Sequence, residues 1–132
     1  MVLIVSSTGE VNIENQNMKI EYDITSGSVN SFTSDTNTTS LIINITATEG
    51  GSLKAILPRK IIDSKHEEQD DIFYLLIDGE ECKFTETTED NQRTLTIPYA
   101  KESRQIEIIG TETINKLVTI DEDLALGTML RI

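Results

Sequence analysis

The sequence predicts an all-β fold, and three observations carry that expectation. Apolar residues recur with a period of two in most segments. Turn-forming clusters separate those segments at short intervals. A long amphipathic helical pattern is absent, so the strands must cover one another, as a sandwich or a barrel.

Taken in order, Met18–Thr25 places Met18, Ile20, Tyr22 and Ile24 on one face, with Lys19, Glu21, Asp23 and Thr25 on the other. Leu41–Thr48 repeats the alternation with Leu41, Ile43, Ile45 and Ala47 inward. Leu53, Ala55 and Leu57 form the next inward row. Leu95, Ile97 and Tyr99 form another opposite Thr94, Thr96 and Pro98, and Ile106 and Ile108 a last one. Ile72–Ile77 is apolar on both faces, which predicts a central strand covered on both sides. Asp78-Gly79 then predicts a tight turn, with Cys82 and Phe84 inward on the returning strand of a hairpin over Ile72–Glu86. Pro58 followed by Arg59–Ser64 predicts one short helical turn. Val2–Val5 and Leu124–Ile132 read as strand-like or apolar ends, suited to sheet edges or to pairing with a neighbouring molecule.

At 132 residues the chain has room for one domain, 1–132. Eleven Lys and Arg stand against 23 Asp and Glu, a formal net charge of −12. That surface repels nucleic acid and anionic membranes, so the expected partner is protein, including another copy of the chain, with no nucleic acid and no direct membrane insertion.

The sequence is poor in catalytic equipment. His66 is the only histidine and sits in the charged run Lys65–Asp71. Most acid–base and nucleophilic chemistry uses a histidine oriented by a carboxylate. Cys82 is the only cysteine, expected as an inert core thiol, and a lone thiol forms no internal disulfide. A carboxylate pair acting on sugars wants aromatics for stacking, and the chain has no Trp, three Tyr and three Phe. The expectation is therefore no catalysis and no resident cofactor, with calcium the one candidate ion. Its candidate ligands are the carboxylates Asp70, Asp71, Asp78 and Glu80, in two acidic turns that lack the spacing of a helix–loop–helix calcium site. Two sequons, Asn37-Thr38-Thr39 and Asn44-Ile45-Thr46, are candidate glycosylation sites if the chain is exported.

Gly51-Ser52-Leu53, Leu57-Pro58-Arg59, Ile61-Ile62-Asp63, Asp70-Asp71, Leu76–Glu81, Phe84–Thr88, Arg93–Pro98 and Ile106–Thr111 follow one another in an order and spacing that resembles a domain of secreted, surface-anchored proteins of ammonia-oxidising archaea, which there precedes a Pro-Glu-Phe-Gly sorting signal. The likeness runs over about Met18 to Thr111. It implies an immunoglobulin-like two-sheet antiparallel β-sandwich at the cell surface or outside the cell, and it brings no catalytic residues. The sequence departs from it over Glu112–Ile132, an extension in place of the sorting signal, and at Cys82, where an aliphatic residue is expected.

The resulting expectation is a non-catalytic extracellular or cell-surface structural module that associates through strand edges or calcium. The alternatives are a monomeric recognition module for glycans or proteins, or an accessory domain of an envelope enzyme. A glycan reading requires Phe32 or Tyr99 to form an exposed platform.

Overall fold

Alternating apolar residues become strands because each strand buries one face and hydrates the other, and here two antiparallel sheets bury their inner faces against each other. The computed structural model describes residues 7–13, 19–114 and 119–121. The strands are β1 (Ser7–Ile13), β2 (Lys19–Ile24), β3 (Ser28–Asp35), β4 (Ser40–Thr46), β5 (Gly51–Pro58), β6 (Ile62–Asp63), β7 (Lys65–His66) and β8 (Gln69–Asp70). They continue as β9 (Tyr74–Ile77), β10 (Glu80–Glu81), β11 (Thr85–Thr88), β12 (Gln92–Tyr99), β13 (Gln105–Ile109), β14 (Glu112–Thr113) and β15 (Thr119–Asp121). One sheet has the order β11-β12-β5-β2-β1-β15 and the other β10-β9-β13-β4-β3. Two small ladders, β14-β6 and β7-β8, stand outside them.

A single core lies between the sheets. Ile20, Ile24, Leu53, Ala55, Leu57, Leu95 and Ile97 come from the six-stranded sheet, and Phe32, Leu41, Ile43, Ile45, Leu75, Ile106 and Ile108 from the five-stranded one. Apart from Phe32 and Leu75, these belong to the inward rows that the period of two predicts. Each large side chain so buried stabilises the fold by roughly 1.5–3 kcal/mol. Tyr22 packs at the rim of this core with its ring tilted against Phe32, 5.8 Å between centroids.

The turns follow local chemistry. Asp78 and Gly79 both have positive φ, 51° and 85°. They close a two-residue hairpin that pairs Ile77 with Glu80 and Leu76 with Glu81. Gly27, at φ 100°, lets the chain cross from β2 to β3; a side chain there would strike the Thr46 carbonyl.

Three expectations need correction. The segment after Pro58 is a turn and not a helix. Ile61 N–H donates to the Pro58 carbonyl at 2.9 Å, and the chain then leaves as β6, pairing Ile62 with Thr113 and Asp63 with Glu112. Ladder bonds to β14 replace the bonds a second helical turn would need.

The predicted central strand is shorter than Ile72–Ile77 and is not central. Tyr74–Ile77 lies one place from the edge, beside the two-residue β10, and its outer face is open. Ile72 is 74% exposed and Tyr74 48%.

The return of the hairpin ends at Glu81. Cys82 N–H donates to the Leu75 carbonyl, and Cys82–Phe84 then carry the chain to β11 in the other sheet. Cys82 and Phe84 are half-buried against the core. Val2–Val5 and Leu124–Ile132 lie outside the described residues.

The β7–β8 hairpin supplies a test of this backbone. Its two-residue turn is Glu67-Glu68, at φ 51° and 67°, where the primed turn prefers Asn-Gly. Holding two β-carbon-bearing residues left-handed costs on the order of 1–2 kcal/mol each. The double substitution Glu67→Asn with Glu68→Gly is expected to raise stability by about 1–2 kcal/mol in urea unfolding. An unchanged or lower midpoint would show that the turn is not under this strain.

Candidate functional site

The described residues hold two unusual constellations, a buried ionic cluster and an exposed apolar face. The cluster begins with strand parity. Arg93 shares the inward row of β12 with Leu95, Ile97 and Tyr99, so its guanidinium enters the sandwich, where it is 2% exposed. A guanidinium has five N–H donors, and here each has an acceptor. Nε donates to Glu86 Oε2 at 2.6 Å and Nη2 to Glu86 Oε1 at 3.0 Å. Nη1 donates to Asp63 Oδ1 at 3.1 Å and to the Ser64 carbonyl at 2.9 Å, and Nη2 also to the Asp71 carbonyl at 2.6 Å. Phe73 lies under the group, 4.2 Å from ring centroid to guanidinium carbon.

Arg59 extends the cluster. It forks onto Asp70 at 2.6 and 2.9 Å, donates to Asp63 at 3.2 Å and binds the Glu89 carbonyl. The hydrogen bond donated to Asp70 does most to raise the pKa of Arg59, and Arg59 in turn holds the Asp70 carboxyl below its ordinary value of 3.8. Burial opposes the charge on Arg93, but the hydrogen bonds it donates to Glu86 and Asp63 overcome it and the net shift is upward. Both guanidinium groups therefore stay charged at any accessible pH. The cluster has the character of a staple, with its charges paired and its guanidinium donors satisfied.

The calcium candidates are placed without convergence. Both oxygens of Asp70 face Arg59. Asp71 Oδ1 accepts from the Ile72 N–H at 2.8 Å. The Asp78 carboxylate accepts from the backbone N–H groups of Arg104 and Gln105, at 3.1 and 2.9 Å, and so pins the hairpin to the start of β13. Glu80 is exposed on β10, where with Asp78, Glu81, Cys82, Lys101 and Glu102 it borders an open cleft of about 610 Å³. Among the described residues, no group of three or more histidine, cysteine, aspartate or glutamate side chains gathers to hold a metal ion.

Of the sequons, Asn37 is exposed in the β3–β4 turn. Asn44 is half-buried on the outer face of β4, and its amide donates to Ser31 Oγ at 2.9 Å. His66 is exposed on β7, and Cys82 is half-buried on the β10–β11 crossover. Burial, and secondarily Glu81, raises the Cys82 pKa, which suppresses the thiolate. The aromatic platform that a glycan reading requires does not form. Phe32 is 0% exposed and Tyr99 7%, with the Tyr99 hydroxyl bonded to the Ser26 carbonyl.

What the sequence reading missed is the outer face of the five-stranded sheet. Register puts Tyr74 beside Ile109, Leu76 beside Glu107, and Glu107 beside Ile42. Leu76, Ile109 and Ile42 are half-buried, and Ile72 lies two residues before Tyr74. The signal was present in Ile72–Ile77: a strand apolar on both faces is either covered twice or exposed once. No family model, curated protein or solved structure matches the chain.

Two tests follow from the cluster. Arg93→Met leaves Glu86 without its cation and Asp63 with Arg59 alone, and is expected to destabilise the fold by about 3–5 kcal/mol in urea unfolding; a loss under about 1 kcal/mol would mean that the staple does not hold the fold. Asp70 has its pKa lowered by folding, so its contribution is present above the unfolded value and disappears as pH falls through the folded one. Asp70→Asn should therefore cost stability at pH 7 and much less well below pH 3.8. An equal gap at both pH values would remove the ion pair from the account.

Proposed function

We propose that the chain is a non-catalytic module of the cell surface or extracellular space that holds another protein through the outer face of its five-stranded sheet. One observation carries this reading: among the described residues Ile72 and Tyr74 are exposed large hydrophobics, whereas most other large apolar side chains pack into or against one core. Contiguous apolar surface of this kind, rimmed by polar residues, marks interaction sites in soluble proteins.

The sheet edges are poorer candidates than the sequence suggests. β3 carries a bulge between Val29 and Ser31, β10 has two residues, β15 has three, and β11 has four with its Glu86 turned inward onto Arg93. Short strands, bulges and inward charges are devices that discourage edge pairing. The contact is therefore assigned to the face.

An immunoglobulin-like identity is part of the same proposal. It is supported by the Greek-key path of β5, β9, β10, β11, β12 and β13, in which β12 pairs with β5 and β11, and β13 pairs with β9. β4 lies beside β13, in the place that the strand following it takes in immunoglobulin domains. Placement at the cell surface is supported by the resemblance of Met18–Thr111 to envelope domains.

The test is photo-cross-linking on the producing cells, with benzoylphenylalanine in place of Tyr74 or, on the opposite face, of Thr94. A discrete protein adduct is expected from position 74 and none from position 94. Absence of an adduct at 74, or the same adduct from both, would overturn the reading.

A further inference from the structure

We propose that the segment held on this face is basic as well as apolar: a polypeptide that intersperses lysine or arginine among apolar side chains. The inference rests on the reading that the face is a contact surface and adds the chemistry of its occupant. β3, β4, β9, β10 and β13 contain Asp35, Glu80, Glu81 and Glu107 and not one lysine or arginine. The six-stranded sheet has both signs: Lys19 pairs with Glu21 at 3.3 Å, and Lys54 lies beside Asp23 in register. Of these acids, Asp35, Glu81 and Glu107 share the outer face with the exposed apolar residues, while Glu80 shares the row of Ile77.

Glu107 lies at the centre of this face, on the middle strand of the five-stranded sheet. Register sets it between Leu76 and Ile42 on the outer face, and it is half-buried there with Ser40 Oγ donating to Oε2 at 2.9 Å. Glu81 adjoins Leu76 on the other side, and the Tyr74 hydroxyl is 3.5 Å from its Oε2. A carboxylate flanked by apolar groups makes stronger charge-assisted hydrogen bonds once a partner excludes water. A cation arriving between two apolar side chains meets Glu107, while its neighbours cover Leu76, Ile109 and Tyr74. The same face of a second copy brings carboxylates towards carboxylates, and like-charge juxtaposition is unfavourable. A net charge of −12 draws a basic segment in and repels an acidic one.

The probes are two synthetic decapeptides with one apolar pattern, alternating Leu-Lys and alternating Leu-Glu, titrated into the isotopically labelled chain at physiological salt. The Leu-Lys peptide is expected to shift amide resonances of Tyr74–Leu76, Glu107–Ile109 and Ile42, and the Leu-Glu peptide to leave them in place. Ile72→Ser combined with Tyr74→Ser should weaken Leu-Lys binding about tenfold or more. Glu107→Gln, which keeps an acceptor for Ser40, should weaken it severalfold. The exposed positions of Ile72 and Tyr74 let that variant fold, and its melting curve checks this. The inference is overturned by shifts confined to the acidic turns and unchanged in the double variant, by equal binding of both peptides, or by no binding. It is also overturned if the resonances of the face shift on dilution, the sign of a second copy. An adduct at position 74 beside any of these results would leave the contact surface standing and reject only its basic occupant.

Discussion

The fold depends on a buried cation. The Arg93 guanidinium is removed from water, and that would be prohibitive if any of its donors lacked an acceptor. Glu86 fixes β11 beside β12, Asp63 and Ser64 fix the end of β6, and the Asp71 carbonyl fixes the approach to β9. The excursion between β5 and β9 has only short ladders of its own, and it is wrapped around this one side chain. Phe73 shows how closely the polar and apolar parts are joined, since it is fully buried in the core and is also the ring beneath the guanidinium. Arg59 adds a second layer by sharing Asp63 and holding Asp70, so the charges form a network and not a set of isolated pairs.

That network bears directly on the exposed face. Asp71 gives its carbonyl to Arg93 and its carboxylate to the Ile72 N–H, and the Ser64 hydroxyl donates to the Ile72 carbonyl. Ile72 is thus held on both sides of its own peptide while its side chain stands in solvent. An exposed apolar residue on a loosely tied loop would turn into the nearest apolar surface. One fixed at the backbone keeps a defined position, at a lower entropic cost to a partner.

Strand positions and inward rows were legible in the sequence because they are set by a period that the pleat imposes, and Leu41, Ile43 and Ile45 or Leu53, Ala55 and Leu57 could lie no other way once one face was buried. The same parity puts Arg93 inward with Leu95 and Ile97, a legible sign that some acid must meet it. Which acid was not legible, because Asp63 and Glu86 reach Arg93 through tertiary contacts 30 and 7 residues away in sequence. Pro58 misled for a related reason: it suits the first turn of a helix, but β14 offered Ile62 and Asp63 a ladder from 50 residues downstream. Ile72–Ile77 misled because composition states that two faces are apolar, and only the strand order states whether anything covers the second.

The two outer faces of the sandwich then differ in kind. On the six-stranded sheet, Thr85 lies opposite Thr96 and Thr87 opposite Thr94, with Lys54 and Asp23 continuing one row and Ile56 and Glu21 the other. Such a surface, with hydroxyls and both signs of charge, is well satisfied by water. On the five-stranded sheet, Tyr74, Leu76, Ile109 and Ile42 surround Glu107, and its strands supply no cation to balance that acid. If net negative charge served solubility alone, the acids would be as useful on either face and would gain nothing from apolar neighbours. Their position among exposed apolar side chains is what supports the proposal of a basic partner on this face rather than of a surface that meets solvent alone.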